Sequence, residues 1–219
     1  MVTFDDARAI LAQNVHTLPP ETLGLDEAAG LALAAPVRAA AALPPDDVSA
    51  MDGYAVRAAD TASGLPLPAT FVVRAGEVPP PLPAGHAARI FTGAAIPEGA
   101  DAVVPQEDAT PGEGRTVCLA RTEPGTHVRR RGEVFERGTL IGEIGDRVTP
   151  QRLALIAAGA VPRLTVTPSP RVAIIVTGSE LVEPGFAPGT RAMHDSNGPM
   201  LAAYARAAGL AISGRTRVA

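Results

Sequence analysis

The chain has no lysine and no tryptophan, and its 219 residues include a single cysteine, Cys118. One thiol excludes an intrachain disulfide framework and a cysteine-based zinc cluster. Its setting, Thr116-Val117-Cys118-Leu119, predicts a strand with a buried structural thiol. All 19 basic residues are arginine, so an anionic ligand must be met by guanidinium forks, backbone N–H groups or a metal ion. Aromatic residues make up 3%, and helices must therefore pack through small side chains. No stretch approaches about eighteen consecutive apolar residues. The start, MVTFDDARAI, carries acids where a secretory leader carries bases. A soluble, cytoplasmic protein without a membrane partner is expected. The net charge of -4 supplies no broad basic face, which excludes nucleic acid as a partner.

With 46% hydrophobic residues, the chain can bury one or two cores, and 22 Gly with 22 Pro make its loops frequent and stiff. Thr3 is placed to cap a helix whose apolar residues Phe4, Ala7, Ile10 and Leu11 recur at helical spacing up to about Val15. A shorter helix is expected over Asp26 to Leu31, and Pro44-Pro45 marks a boundary. Beyond it, short β-branched runs such as Phe71-Val72-Val73 and Ala102-Val103-Val104 alternate with turn signals, reading as a small β domain. Pro79-Pro80-Pro81 belongs in an exposed extended loop. Thr149-Pro150 opens a helix over Gln151 to Ala158 that Gly159 ends as the left-handed residue. Val161 to Thr167 reads as a strand.

Arg171 to Val176 is a continuous apolar run, as in a parallel strand buried on both faces. A Pro- and Gly-rich loop and a helix over Pro199 to Ala208 follow. That helix presents Leu201, Tyr204, Ala205 and Ala208 on one face and stops at Gly209; Leu210 to Val218 reads as the next strand. The fold class is thus a multi-domain α/β protein. Residues 1–45 with 146–168 form a helical linking domain, 46–145 an inserted small β domain, and 169–219 the start of a doubly wound parallel α/β domain. One βαβ unit leaves a sheet edge uncovered, so continuation beyond Ala219 or completion by a partner chain is expected.

Five segments carry the chemistry. Asp47 to Asp60 places Asp52 and Gly53 at the entry to a short strand, Tyr54 to Val56, and Val176 to Leu181 places Glu180 after a Gly-Ser turn. Small neighbours let each carboxylate reach a ligand, and a hard cation such as Mg²⁺ suits two convergent acids with water and substrate oxygens. The same pattern also fits Asp52 as a turn residue accepting local N–H bonds. Thr92-Gly93-Ala94 and Gly178-Ser179 offer turn amides and hydroxyls to anionic oxygens, while Glu98, Asp101 and Glu107 read as solvated loop acids. In a strand, Arg129-Arg130-Arg131 would alternate between faces, so the three cannot serve one ligand together. Asp195 and Asn197 of His194-Asp195-Ser196-Asn197 fit ligand contacts equally with a helix cap at Ser196 or Asn197.

SAMDGYAV, TGAAIPEGADAVV, RRRGE and TGSEL, in this order and spacing, resemble the molybdopterin molybdenumtransferase family of molybdenum cofactor biosynthesis, which is related to the gephyrin E domain. The resemblance runs from the first helix to Arg217 and corresponds to about the N-terminal half of a typical member. It implies an enzyme that takes adenylylated molybdopterin, releases AMP with the help of Mg²⁺ and inserts molybdate at the dithiolene sulfurs. Asp52 and Glu180 are then the catalytic acids and metal ligands, with Ser49, Thr92, Gly93, Arg130, Asp195 and Asn197 binding substrate. The resemblance also implies a homodimer whose active site is shared between the β domain of one subunit and the α/β domain of the other. The molybdopterin adenylyltransferase is a further implied partner.

Two positions depart from the pattern: Val134 and Ser179 stand where many relatives have Asp. The family's GGxS-type segment, a downstream acid, the PGKP loop and a C-terminal β domain have no counterpart in these residues, so this chain alone is not expected to complete a turnover. A non-catalytic dimeric scaffold, or a pterin-binding module of the same architecture, is the alternative; Asp52 and Glu180 favour the enzyme.

Overall fold

The computed structural model describes residues 2–186 and 192–218, and the chain divides into two units. One comprises Met1–Ala35, Glu143–Pro150 and Arg163–Ala219; the other comprises Pro36–Gly142 and Gln151–Pro162. Part of the Pro- and Gly-rich loop expected before the last helix, residues 187–191, lies outside the described residues. Among the described residues, no helix is long and apolar enough to cross a membrane.

In the first unit the helix Phe4–Asn14 starts as its sequence predicts. The Asp6 amide donates to Thr3 Oγ1 at 3.2 Å, and the Thr3 amide returns to Asp6 Oδ2 at 3.3 Å, a reciprocal capping box. No residue of this helix is buried. The expected second helix is a single turn, Leu25–Ala28, because Gly30 turns left-handed at φ +80°. Three antiparallel strands follow from this part of the chain, with Arg163–Thr167 between Glu21–Gly24 and Ala32–Leu33. Leu33, Leu164 and Val166 are their buried side chains.

Farther along the same unit, Arg171–Thr177 pairs in parallel with Ala211–Val218, and the helix Asn197–Ala207 packs on both, forming the expected βαβ unit. Two details differ from the sequence reading. The first strand buries one face: Ile174 and Val176 are covered, while Ile175 is 61% exposed. An apolar run does not by itself say how many faces are covered, and this one meets the helix with alternate residues. The helix buries Gly198, Ala202 and Ala205, leaving Leu201 and Tyr204 exposed. Small residues allow the close approach, so the larger side chains face outward.

The second unit is built on six strands, in the spatial order Ala102–Pro105, Gly53–Val56, Ala87–Ile90, Leu67–Val73, Thr116–Leu119 and Ala109–Pro111. All neighbours are antiparallel except Leu67–Val73 with Ala87–Ile90. Side-chain alternation sends Val56, Ala87 and Val104 into one apolar cluster and Ala55, Ala88 and Val103 into another on the opposite face. Gly53–Val56 is therefore enclosed on both faces and hydrogen-bonded on both edges. It is a rigid mount for whatever precedes it. Cys118 is only half-buried, because Val117 and Leu119 take the core-facing positions on either side of it. Pro79-Pro80-Pro81 lies outside every strand, next to Val78, which is 96% exposed.

The helix Pro150–Ala158 ends in a different way from that predicted. The left-handed residue is Ala160, at φ 57°, rather than Gly159. The Ala160 amide donates to Ala157 O at 2.9 Å and the Val161 amide to Ile156 O at 3.3 Å, which is a Schellman termination with alanine in the glycine place. Gly159 serves packing: a Cβ there would lie 2.9 Å from Ile141 Cδ1 and 3.4 Å from Ala39 Cα. The following strand starts at Arg163, two residues later than expected, because Ala160 and Val161 are used in the cap.

Candidate functional site

Asp52 stands immediately before the enclosed strand Gly53–Val56. Glycine is required next to it, because a Cβ on Gly53 would overlap the carbonyl oxygen of Val104 in the neighbouring strand. The loop before Asp52 is shaped by Ser49, which is 1% exposed. Its hydroxyl donates to Met51 O at 2.6 Å and accepts the Met51 amide at 3.3 Å. Its backbone is tied to the turn Phe91–Ala94: the Gly93 amide donates to Ser49 O at 2.8 Å and the Ser49 amide to Ala94 O at 2.9 Å.

That turn is closed by the Ala94 amide on Phe91 O at 3.0 Å, with Gly93 at φ +80° as its third residue. Turn geometry leaves the Thr92 amide without a partner inside the turn. It donates instead to Asp52 Oδ1 at 2.7 Å, and the Thr92 hydroxyl donates to the same oxygen at 2.7 Å. The two bonds hold the Asp52 carboxyl below its usual pKa, the amide contributing most and the hydroxyl next, with the positive charge of Arg89 adding to them. Asp52 is thus a charged acid near neutral pH, with Oδ1 doubly bonded and Oδ2 accepting no hydrogen bond among the described residues. A groove of about 760 Å³ adjoins the turn, walled by Pro44–Val48, Gly76–Pro79, Gly93 and Arg129.

The three adjacent arginines separate in role. Only Arg129 lies in a strand, Val128–Arg129; Arg130 and Arg131 have left it for a turn, so strand alternation does not sort them. Arg129 Nε pairs with Glu133 at 3.4 Å. Arg130 Nη1 donates to Asp47 Oδ2 at 2.6 Å, and the Arg131 amide donates to Asp47 Oδ1 at 2.8 Å. Those contacts, the Arg131 amide first, keep the Asp47 carboxyl below its usual pKa. Arg130, the arginine expected at substrate, is therefore committed to Asp47. Arg131 is the member whose guanidinium has no carboxylate partner among the described residues.

Glu180, Asp195 and Asn197 belong to the other unit. Gly178 adopts φ +149°, and a Cβ there would lie 2.9 Å from Glu180 Oε1, so the exposed carboxylate is folded back over its own turn. Asp195 is 3% exposed and caps the last helix: its Oδ1 accepts the Gly198 amide at 2.8 Å, while Ser196 makes no side-chain cap bond. Gly198 must stay small there, because a Cβ would overlap Asp195 Oδ2. Asn197 is exposed at the first position of that helix. Neither residue weighed as the cap is the one that caps.

No group of three or more His, Cys, Asp or Glu side chains is placed to hold a metal ion among the described residues. The donor set therefore does not make an all-protein cage. It does fit Mg²⁺ in its other mode, in which one or two carboxylates are joined by water and phosphate oxygens. One residue of this neighbourhood was not singled out from sequence. Arg89 donates to Gly53 O and to Gln106 Oε1. Its position two residues before Phe91 in an otherwise apolar strand was the available signal.

Residues 2–159 match the family described as the MoeA N-terminal region, domains I and II. The chain is 38% identical over 218 residues to molybdopterin molybdenumtransferase 2 of Mycobacterium tuberculosis, covering 97% of this chain and 54% of that protein. It is 36% identical over 200 residues to molybdopterin molybdenumtransferase of Haemophilus influenzae, covering 90% of this chain and 50% of the relative. The chain thus spans about half the length of these curated relatives. Two crystal structures described as molybdopterin biosynthesis MoeA protein from Pyrococcus horikoshii superpose on it. One has a TM-score of 0.83 at 28% identity, covering 100% of this chain and 61% of that one. The other has a TM-score of 0.79 at 32% identity, covering 99% and 57%.

Proposed function

This chain belongs to the MoeA N-terminal region family, and from that premise we propose that it supplies Asp52, Thr92 and Glu180 to a molybdopterin molybdenumtransferase site. The reaction is insertion of molybdate into adenylylated molybdopterin with release of AMP, in molybdenum cofactor biosynthesis. The observation that carries this reading is the Asp52 carboxylate, fixed through one oxygen by the amide and hydroxyl of Thr92 at 2.7 Å each. A carboxylate used only to close its own turn would bond to nearby amides; this one is held by a residue 40 positions away, and its second oxygen accepts no hydrogen bond among the described residues.

Asp52 and Glu180 would hold Mg²⁺, which would supply charge neutralisation at the phosphate oxygens when bound. Thr92 orients Asp52 and keeps it ionised. Ser49 acts on the same loop from within, through Met51, so its part is to shape the loop rather than to touch substrate. Gly93 opens the turn, and of the three adjacent arginines the one to meet an anion is Arg131, whose guanidinium has no carboxylate partner among the described residues. Asp195 contributes through the cap of its helix and Asn197 through an exposed side chain. The single half-buried cysteine suits a reaction whose sulfur ligands come from the pterin.

The reading includes a homodimer in which Asp52 of one subunit works with Glu180 of the other. Full-length Asp52→Asn and Glu180→Gln proteins, assayed separately with adenylylated molybdopterin, molybdate and Mg²⁺, are expected to release no AMP. After subunit exchange at equal amounts, half of the dimers carry one intact site of two, and activity is expected to return to about a quarter of wild type. No recovery would overturn the shared site, and wild-type turnover by Asp52→Asn alone would overturn the function.

A further inference from the structure

Arg89 lies on the strand Ala87–Ile90, directly opposite Tyr54 of the neighbouring strand. Its guanidinium carbon is 5.3 Å from the centroid of the Tyr54 ring and 5.3 Å from that of Phe91. Two aromatic faces thus hold the cation while it donates in two directions, Nη1 to Gly53 O at 3.1 Å and Nη2 to Gln106 Oε1 at 2.5 Å. Gln106 in turn donates its backbone amide to Asp52 O at 3.0 Å. No carboxylate pairs with Arg89 among the described residues, so its donors are spent on the backbone and side chains around one loop.

Three of these contacts have a common target. Gly53 follows Asp52 in the chain, Phe91 precedes Thr92, and Gln106 grips Asp52 itself. We propose that Arg89 is the positioning residue of this site: by holding Gly53 and Phe91 to one rigid plane, it sets the separation at which the Asp52 carboxylate meets the Thr92 amide and hydroxyl. The task needs a planar group with donors on two sides and two faces for stacking. An ammonium ion on a flexible stem has neither property. The inference rests on the reading of Asp52 as the functional acid, and its experiment does not use turnover.

The test is amide hydrogen exchange, read residue by residue by NMR, on this chain carrying Arg89→Met or Arg89→Lys. Loss of the clamp is expected to lower the protection of Thr92 about tenfold while Ala55 and Val103, in the core strands beside it, change by less than about twofold. Lysine is expected to fail to restore Thr92. Wild-type protection of Thr92 in Arg89→Met overturns the proposal. So does an equal loss at Thr92, Ala55 and Val103, which marks Arg89 as ordinary sheet packing, and so does full rescue by lysine. Failure of the functional reading would appear elsewhere, as normal turnover by full-length Asp52→Asn, with the exchange result unaffected.

Discussion

Thr92 gives both its donors to one oxygen of Asp52, each at 2.7 Å, across 40 residues of chain. Such a carboxylate is stabilised in its charged form, so its folded pKa lies below the ordinary value of 3.8. A lowered folded pKa means stability that is present above the unfolded pKa and lost as pH falls through the folded one. Asp6 and Asp47 are shifted the same way, by Thr3 and by the Arg131 amide respectively. Unfolding midpoints in urea are therefore expected to fall as the pH is taken below the ordinary carboxylate range. Thr92→Val removes the hydroxyl and keeps the amide. Carboxyl ¹³C NMR, assigned with Asp52→Asn, should show the Asp52 midpoint rising in Thr92→Val yet remaining below 3.8; an unchanged midpoint would show that the hydroxyl does not act on it.

Gly53 is where the fold and the site meet. Its backbone pairs with Ile90 on one side and Pro105 on the other, with the Val104 carbonyl against its Cα. Any side chain must push the Ala102–Pro105 strand away. Gly53→Ala is expected to cost about 2–3 kcal/mol, as overpacking of a tight core does, measured by chemical denaturation. It should also disturb the Thr92 amide resonance, since Asp52 moves with its neighbour. A variant as stable as wild type would mean that the strand yields freely at this edge.

Local signals and long-range ones were not equally legible. The helix cap at Thr3, the strand entered at Gly53 and the βαβ unit were readable because each is written in neighbouring residues. Asp52, too, was marked by its turn and its glycine. What could not be read was partnership over distance. Arg130 is paired to Asp47 across 83 residues, and nothing in RRRGE distinguishes it from Arg131, whose guanidinium has no carboxylate partner among the described residues. Arg89 was not singled out from sequence, and only the pairing with Tyr54 reveals its two rings. Gly159 and Ala160 exchanged roles because the neighbours that forbid a side chain on Gly159, Ala39 and Ile141, come from distant segments.

Ala160 offers a direct stability test. An L-residue at φ 57° carries a strain of about 1–2 kcal/mol that glycine does not. Ala160→Gly is thus expected to raise unfolding stability by about 0.5–1 kcal/mol after the added chain entropy of glycine is subtracted. Gly159→Ala should act in the opposite sense by pressing on Ile141. Thermal unfolding of the two variants side by side decides the assignment. Stabilisation by alanine at 159, or destabilisation by glycine at 160, would contradict the termination described for this helix.

Asp195 is the acid whose role the structure constrains most closely. It is buried, it accepts the Gly198 amide, and Gly198 lacks a side chain where the Asp195 carboxyl sits. A cap needs only an acceptor oxygen, whereas a contact that depends on negative charge needs an ionised carboxylate. The two roles separate under substitution. Asp195→Ala is expected to lose about 1–2 kcal/mol of stability through the uncapped helix. Asp195→Asn keeps an acceptor, so it should retain most of that stability while removing the charge. If Asn at 195 also preserves turnover in the full-length protein, the residue acts through its helix. If turnover is lost while stability is kept, the charge itself reaches the ligand, and Asp195 joins Asp52 and Glu180 among the acids proposed for the site.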